Sequence, residues 1–431
     1  MQDRTISVVL AGGVGARLHP LTVERAKAAV PFGGNYRIID FTLSNCLHSG
    51  IRRILVLTQY KSHSLHKQLR DGWSVFNPSI GEYVTIVPPQ MRTGKSWYAG
   101  TADAVYQNLY MIRRSGAENV LILPGDHIYR MDYAAMLQYH RERSADVTVA
   151  CMKVPTEKAS AFGVMAVHED GRVHGFQDKP GRPRSLLNDP DHALASMGVY
   201  AFSCETLCSV LEDDALDKHS SHDFDRDILP RMIHTDSIYA YQFGGDRGRV
   251  SADGYWRDVR TIDSYHAANM DLLVPDPPID LYQSDWRIYT ANCQSPPARA
   301  TSGQSGKHGC LIDNAILGAG TVVAGGVVTK SILSRDVRID EGAVVSDSIV
   351  FDNVHVGPGA QLKRCIVDKH VQIPPGEKIG FDSYRDSQRF VISDGGIVVV
   401  PRDYRFNSLV TPEKPRRSLD PPISIGQRFT A

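Results

Sequence analysis

No stretch of this chain stays apolar for about 18 residues, the length a membrane-spanning helix requires, so no span is predicted. The opening MQDRTISVVLAGG lacks the marks of a secretory leader, because an acidic residue comes early and the apolar run is too short. Net charge is absent too: 48 Lys plus Arg meet 48 Asp plus Glu. No overall field draws in nucleic acid or an anionic membrane, and any anion must be met locally. Cysteine is sparse, with seven residues at positions 46, 151, 204, 208, 293, 310 and 365, in no C-x-x-C pair and no Cys/His zinc spacing. That scatter reads as a reducing compartment, and a soluble, cytoplasmic protein is expected. Two phosphate-loop signatures are also missing. G-x-G-x-x-G would need glycine at Leu18, and Gly94-Lys95 has Pro89 where the first glycine of G-x-x-x-x-G-K belongs.

At 431 residues the chain is too long for one ordinary core. Its first part alternates short apolar runs with amphipathic segments, the pattern of a mostly parallel sheet covered by helices. Strands are predicted over 6–11, 53–58, 119–123, 146–154, 193–202 and 238–243, and helices over 62–73, 102–114, 133–143, 223–233 and 262–273. This makes an α/β domain over 1–275. From 276 to 309 the texture turns to Pro, Ser, Gly and Gln, as in QSPPARATSGQSGKHG, and reads as a linker. A repeat follows over 310–400. Ser331-Ile332, Ser348-Ile349 and Cys365-Ile366 recur every 17 residues, with Val337, Val354 and Val371, with Ile339, Val356 and Ile373, and with Gly342, Gly359 and Gly376. Shifted by 16, Ile316, Val323 and Gly326 join the series. Apolar residues about six apart with glycine at corners fit three short strands per coil of a parallel β-helix, and a β-sandwich would not keep so fixed a step. Residues 401–431, rich in Pro and Arg, read as a loosely held tail.

The chemistry begins at the first strand, which runs into Gly12-Gly13-Val14-Gly15 and then Arg17. Glycines remove Cβ obstruction and turn N–H groups toward an anion. A tight structural turn would look the same, but Arg17 and, ten residues on, Lys27 supply two cations able to neutralise a polyphosphate.

The segment AGGVGARLHPLTVERAKAAVPFGGNYRIIDFTLSNC resembles the signature of nucleoside-diphosphate-sugar pyrophosphorylases, specifically bacterial glucose-1-phosphate adenylyltransferases. The likeness continues through TQYKSHSL, WYAGTADAVYQN, GDHIYRMDY, CMKVP, FGVM, LASMGVYAF, SSHDFDRDILP and YWRDVRTID, covering about the first 400 residues. It implies a Rossmann-like mixed or parallel sheet carrying the nucleotidyltransferase site, followed by a left-handed parallel β-helix. The implied reaction joins ATP and glucose 1-phosphate into ADP-glucose and pyrophosphate, with Mg²⁺ as cofactor, in a homotetramer controlled by metabolite effectors. Positioning and charge neutralisation would supply most of such catalysis. By the same resemblance Arg17, Lys27 and Asp126 are catalytic, and Asp126 with Asp258 holds the metal. Leu10, Ala11, Gly12, Gly13, Gly15, Gln59, Gly100, Thr101 and Asp103 would line the nucleotide side. Tyr98, Gly163, Asp178, Lys179 and Ser196 would meet glucose 1-phosphate, and Arg25 and Arg52 an effector.

Each assignment has a plainer counterpart. Asp126, after an apolar strand, is placed to cap the next helix; Lys179 alone would be a surface charge, and Ser196 and Tyr98 ordinary strand-end residues. The β-helix also occurs in acyltransferases with a histidine base, and His355 and His370 lie on the coils, but no acetyl-CoA motif accompanies them. Val14, Ala16, Glu24, Ala28, Asp178 and Arg260 depart from the usual bacterial pattern, Arg260 standing where glycine is usual. Other expectations in reserve are a different nucleotide or sugar phosphate, and a non-catalytic regulatory subunit, which would lack charged groups that this chain retains.

Overall fold

The computed structural model describes residues 4–90, 97–186, 188–245, 247–250 and 254–406. The first domain is built on a nine-stranded mixed sheet. At its centre Thr5–Ala11 lies parallel to both Arg53–Thr58 and Asn119–Pro124, with Tyr83–Val87 parallel beyond them. The inner three are buried along nearly their whole length, as strands covered on both faces must be, while Tyr83–Val87 at the edge is half-buried. His192–Ser203 then pairs antiparallel with Asn119–Pro124 and Val147–Pro155, and the antiparallel hairpin of Gly163–Val167 and Val173–Asp178 closes that edge. Ile6, Val8, Leu55, Val120 and Phe202 face one core cluster, and Val9, Val56, Leu121 and Ala201 face another across the sheet.

The helix Cys204–Leu216 and the strands Tyr83–Val87, Gly163–Val167 and Val173–Asp178 are absent from the sequence reading, and the chain differs from it in three further places. Ile38–His48 is a helix that amphipathic spacing does not reveal, because nine of its residues from Ile38 to Cys46 are buried and no polar face survives. The helix expected over 102–114 breaks into Thr101–Tyr106 and Leu109–Arg114. The stretch 276–309 is no free linker. Ile279, Trp286 and Ile288 are buried, Trp286 Nε1 donates to Asn45 Oδ1 at 3.0 Å, and Thr290 Oγ1 donates to buried Asp40 at 2.7 Å. Asp40 also accepts from Trp73 Nε1 and the Arg37 N–H, so one carboxylate ties this strap to two helices. Within the same stretch Arg299–Thr301 already pairs with Val322–Ala324 as the first coil strand.

From there the coil's ladders are parallel, except that Val391–Ile392 pairs antiparallel with Val398–Val400 at its end. Ile316 pairs with Ile332, Ile332 with Ile349 and Ile349 with Ile366, while Val323 pairs with Ile339, Ile339 with Val356 and Val356 with Ile373. The repeat in the sequence is thus the rise of one coil on the next. Asp336, Asp347, Asn353, Arg364 and His370 take positive φ at corners, which short strands of two or three residues demand. The coil docks on the first domain through Ile332, Ile349, Phe351 and Ile366, packed with Phe32, Phe41 and Tyr265. Of the tail expected over 401–431, Tyr404 and Phe406 meet Phe390 edge-on and are therefore held against the coil, and 407–431 lies outside the described residues.

Candidate active site

Parallel strands end together, and here their carboxyl ends open on one cleft of about 540 Å³. Leu10, Ala11, Gly12, Gly13 and Val14 form one wall. Gly15 turns through the left-handed region at φ 63°, and a Cβ there would lie 3.1 Å from both Lys27 Cβ and Thr22 Cγ2. Close packing against the missing side chain is therefore what seats Lys27 beside the loop. Its Nζ reaches Asp126 Oδ2 at 2.7 Å and Asp258 Oδ1 at 3.3 Å. Asp258 arrives on Trp256–Asp258, whose antiparallel pairing with His127–Tyr129 sets Asp258 opposite His127. The capping reading of Asp126 fails, because Asp132 caps the following helix Tyr133–Glu142 by accepting from the Ala134 N–H.

Burial acts to pull the Lys27 ammonium down, but Asp126 and Asp258 outweigh it and its pKa is raised. For Asp126, burial works upward and is overcome chiefly by Lys27, so the carboxyl stays ionised well below its usual range. His127 is lowered by burial, against the pull of Asp258 and Asp126, and is neutral at pH 7. Asp126, His127 and Asp258 offer ligand atoms within 4.8 Å of one another. Asp258 Oδ2 is buried and faces the Arg260 guanidinium as an ion pair. Two hard carboxylates converging at the cleft, with a third of the Asp126 side chain open to it, fit a magnesium-type cation.

The opposite wall carries Tyr98, Gly163, Lys179, Ser196 and Tyr200. Lys179 has φ 42°, unusual for a residue with a side chain, and its N–H is held by Phe162 O at 3.1 Å. Beside it, Tyr200 Oη donates to Asp225 Oδ1 at 2.7 Å. Burial first, then Asp223 and Asp178, raises the Asp225 carboxyl to about 6. The folded chain thus holds a proton that the unfolded chain has released between about pH 4 and 6, and stability from this group falls as pH rises through that window. Asp225→Asn is expected to raise the melting temperature at pH 8 and leave it nearly unchanged at pH 4, a gain on the order of 1–2 kcal/mol after discounting for solvent contact. Melting curves at the two pH values decide it, and an Asn variant no firmer at pH 8 contradicts it.

Gly100 shows why WYAGTAD and SSHDF act together. A Cβ on it would collide with His222 O and Ser221 O, while Ala102 N–H donates to His222 O at 2.8 Å and Phe224 N–H to Thr101 Oγ1 at 3.1 Å. Gly100→Ala should separate these loops, costing about 1–3 kcal/mol and more than tenfold in kcat/KM for both substrates. Steady-state kinetics beside a melting curve checks this; wild-type constants would refute it.

The cleft does not gather every residue expected of it. Gln59, Thr101, Asp126, Lys179 and Asp258 line it, whereas Arg17 is exposed on the short helix Ala16–Leu18 and pairs with no described carboxylate. Asp103 bonds back to the Ala99 N–H and to Gln107, and Asp178 pairs with Lys179 and Arg226. Trp97 packs on Tyr60 at 5.0 Å by the cleft. His127, Tyr200, Asp225 and Arg260 were missed as site residues, although each stands inside or beside a motif quoted above. Arg25 is buried between the domains and bonds Asp368 at 2.8 Å. Arg52 does not join it, bonding Leu47 O and lying 3.5 Å from Glu82 instead. Its place beside Arg25 is filled by Arg37, Arg335 and Lys369, all on Asp352.

Residues 6–274 match the nucleotidyl transferase family. The chain belongs to the nucleotidyl transferases. Residues 296–400 of this nucleotidyl transferase match the GlmU-like C-terminal hexapeptide family, in accord with a left-handed β-helix. The nucleotidyl transferase is 57% identical over 408 residues to glucose-1-phosphate adenylyltransferase 2 of Vibrio cholerae, covering 95% of this chain and all of the relative. It is 60% identical over 406 residues to the protein of that name in Vibrio vulnificus, with 94% and 100% coverage. To glucose-1-phosphate adenylyltransferase of Methylococcus capsulatus it is 46% identical over 400 residues, covering 93% and 94%.

Proposed function

We propose that this nucleotidyl transferase moves the adenylyl group of ATP onto glucose 1-phosphate, releasing pyrophosphate and ADP-glucose for α-glucan synthesis. The observation that carries the reading is the cleft itself: Lys27, Asp126 and Asp258 converge beside the glycine loop, and Lys179 and Ser196 face them from the other wall. A phosphate oxygen of the sugar ester forms the new bond to the α-phosphorus as the bond to the β-phosphate oxygen breaks. Gly12 and Gly13 let the backbone approach the polyphosphate, and Lys27 neutralises charge at the reacting phosphate. Lys179 holds the ester phosphate as a point cation, and Asp126 and Asp258 would hold Mg²⁺, which stabilises charge on the nucleotide tail. Arg17 is assigned to the polyphosphate from the loop's open side. A screen of nucleoside triphosphates against sugar 1-phosphates, scored by pyrophosphate release with Mg²⁺, tests the reading. Release with ATP and glucose 1-phosphate above all other pairs is expected, and preference for dTTP, UTP, GTP or glucosamine 1-phosphate would replace the named substrates.

The same proposal includes control by a metabolite at the domain boundary. Among the described residues the carboxylates that Arg25, Arg37, Arg335 and Lys369 meet there are Asp352 and Asp368, and Arg25 Nη1 and Arg335 Nη1 are buried without hydrogen-bond partners. An excess of buried cation favours an anionic, phosphorylated effector. Glu24 sits one residue from Arg25 and reverses the charge usual in some bacterial relatives, so activator preference should differ from theirs. A homotetramer in the cytoplasm completes the reading, the seven free cysteines being in keeping with a reducing compartment.

A further inference from the structure

Arg260 lies in the cleft wall yet has no part in the reading above, and its surroundings give it one. Its Nε forms an ion pair with Asp258 Oδ2, the oxygen left free by Lys27, which takes Oδ1. Its Nη1 donates to Ala161 O at 3.1 Å, its guanidinium lies 5.8 Å over the Phe162 ring, and its own N–H bonds Asp258 O at 2.9 Å. The side chain is therefore anchored on the wall and aimed inward. About a third of it is exposed, whereas Asp258 is only 4% exposed. A buried carboxylate is seldom left unpaired, and here it is flanked by two cations.

The charges around the pair can be counted from every element that packs on it. Lys27 comes from the glycine-loop side, Asp126 and His127 from the end of Asn119–Pro124, and Asp258 and Arg260 from the ribbon carrying Trp256. Lys27 and Arg260 face Asp126 and Asp258, so at the cation site two cations stand against two carboxylates, while Lys179, Asp223 and Asp225 lie on the other wall. A free dication entering such a pocket meets attraction and repulsion of similar size. The polyphosphate of a bound nucleotide changes the balance by bringing several negative charges.

We propose that Arg260 acts as a built-in counter-ion of Asp258 that bars a free divalent cation from the nucleotide-free cleft, so that cation and polyphosphate load together. Arg260 is a positioning residue in this scheme: it acts through Asp258 and is released to the phosphates when the cation takes its place. The inference rests on Asp126 and Asp258 being the cation ligands, and its test is chosen so that failure of the one is distinct from failure of the other.

Mn²⁺ serves as the probe, with bound and free ion separated by electron paramagnetic resonance on the full chain. Without nucleotide, Arg260→Gln should bind Mn²⁺ at least tenfold more tightly than the wild type, since Gln keeps a donor for Ala161 O but no charge. Arg260→Lys, which restores a cation, should return to within about threefold of the wild type. With an α,β-methylene ATP analogue present, the wild type should bind Mn²⁺ tightly and the tenfold gap should close. Equal Mn²⁺ affinity of the wild type and Arg260→Gln without nucleotide overturns the inference. So does a gap that persists unchanged with the analogue. Asp258→Asn added to Arg260→Gln should abolish the gained binding; if the gain survives, the ion sits elsewhere and the assignment of Asp258 as ligand falls instead. A melting curve for each variant separates lost folding from lost binding, and Arg260→Met, uncharged and of similar length, carries the same expected tenfold gain if Gln fails to fold.

Discussion

Asp126→Asn is expected to lower turnover by about 10³-fold or more while the melting temperature moves little. The substitution keeps the shape of the side chain and removes its charge at the point where Lys27 Nζ and the cation would share it. Lys27 retains Asp258 at 3.3 Å, so no buried ammonium is stranded, and a third of the Asp126 side chain already meets solvent. The loss should therefore fall on kcat. KM for glucose 1-phosphate should change little, because Lys179 and Ser196 on the other wall are untouched. Initial rates of pyrophosphate release across both substrate concentrations measure the split. Turnover within threefold of the wild type would remove Asp126 from the chemistry.

A second large effect is expected at the domain boundary, where Asp352→Ala should destabilise the chain by about 3–5 kcal/mol at pH 7. Asp352 is 5% exposed and faces Lys369 at 2.6 Å, Arg37 at 3.3 Å and Arg335 at 3.5 Å. Burial works against its charge, but Lys369 and Arg37 hold it ionised far below the ordinary range. Without it three cations confront one another in an interface that also carries the apolar contact of Phe351 and Ile349. Lys369 relieves this first, since burial and Arg37 already lower its pKa to about 8 against the pull of Asp352. Without Asp352 that pKa falls further, so the folded variant gives up a proton the folded wild type still holds, and the extra cost fades between the variant's lowered value and about pH 8. The defect should be largest at pH 6–7 and shrink by pH 9, as followed by thermal melts across that range. A flat pH response, or a loss under about 1 kcal/mol, would mean that the apolar contact alone docks the domains.

How much was legible follows the range of the forces involved. The coil was readable because each residue stacks on its equivalent one turn away, so the step of 17 appears directly as Ile332, Ile349 and Ile366. The inner parallel strands were readable because burial on both faces leaves apolar runs such as VVLA and LVL, whereas the half-buried edge strand Tyr83–Val87 was not. The helix Ile38–His48 was not, since burial on all sides erases the period that marks a helix. The strap over 276–309 was misread for a related reason: proline and serine set its local character, while Trp286 and Thr290 find partners near residues 40–45.

The sequence by itself determined the two architectures and the family, because these rest on local periodicity and on motifs whose order survives in one dimension. Tertiary structure alone decided which charges meet. Lys27 finds Asp258 across 231 positions and Arg25 finds Asp368 across 343, and Arg260 turns onto Asp258 rather than into solvent. A charge pair has no period and no fixed spacing, and its worth depends on burial that only the packed chain creates.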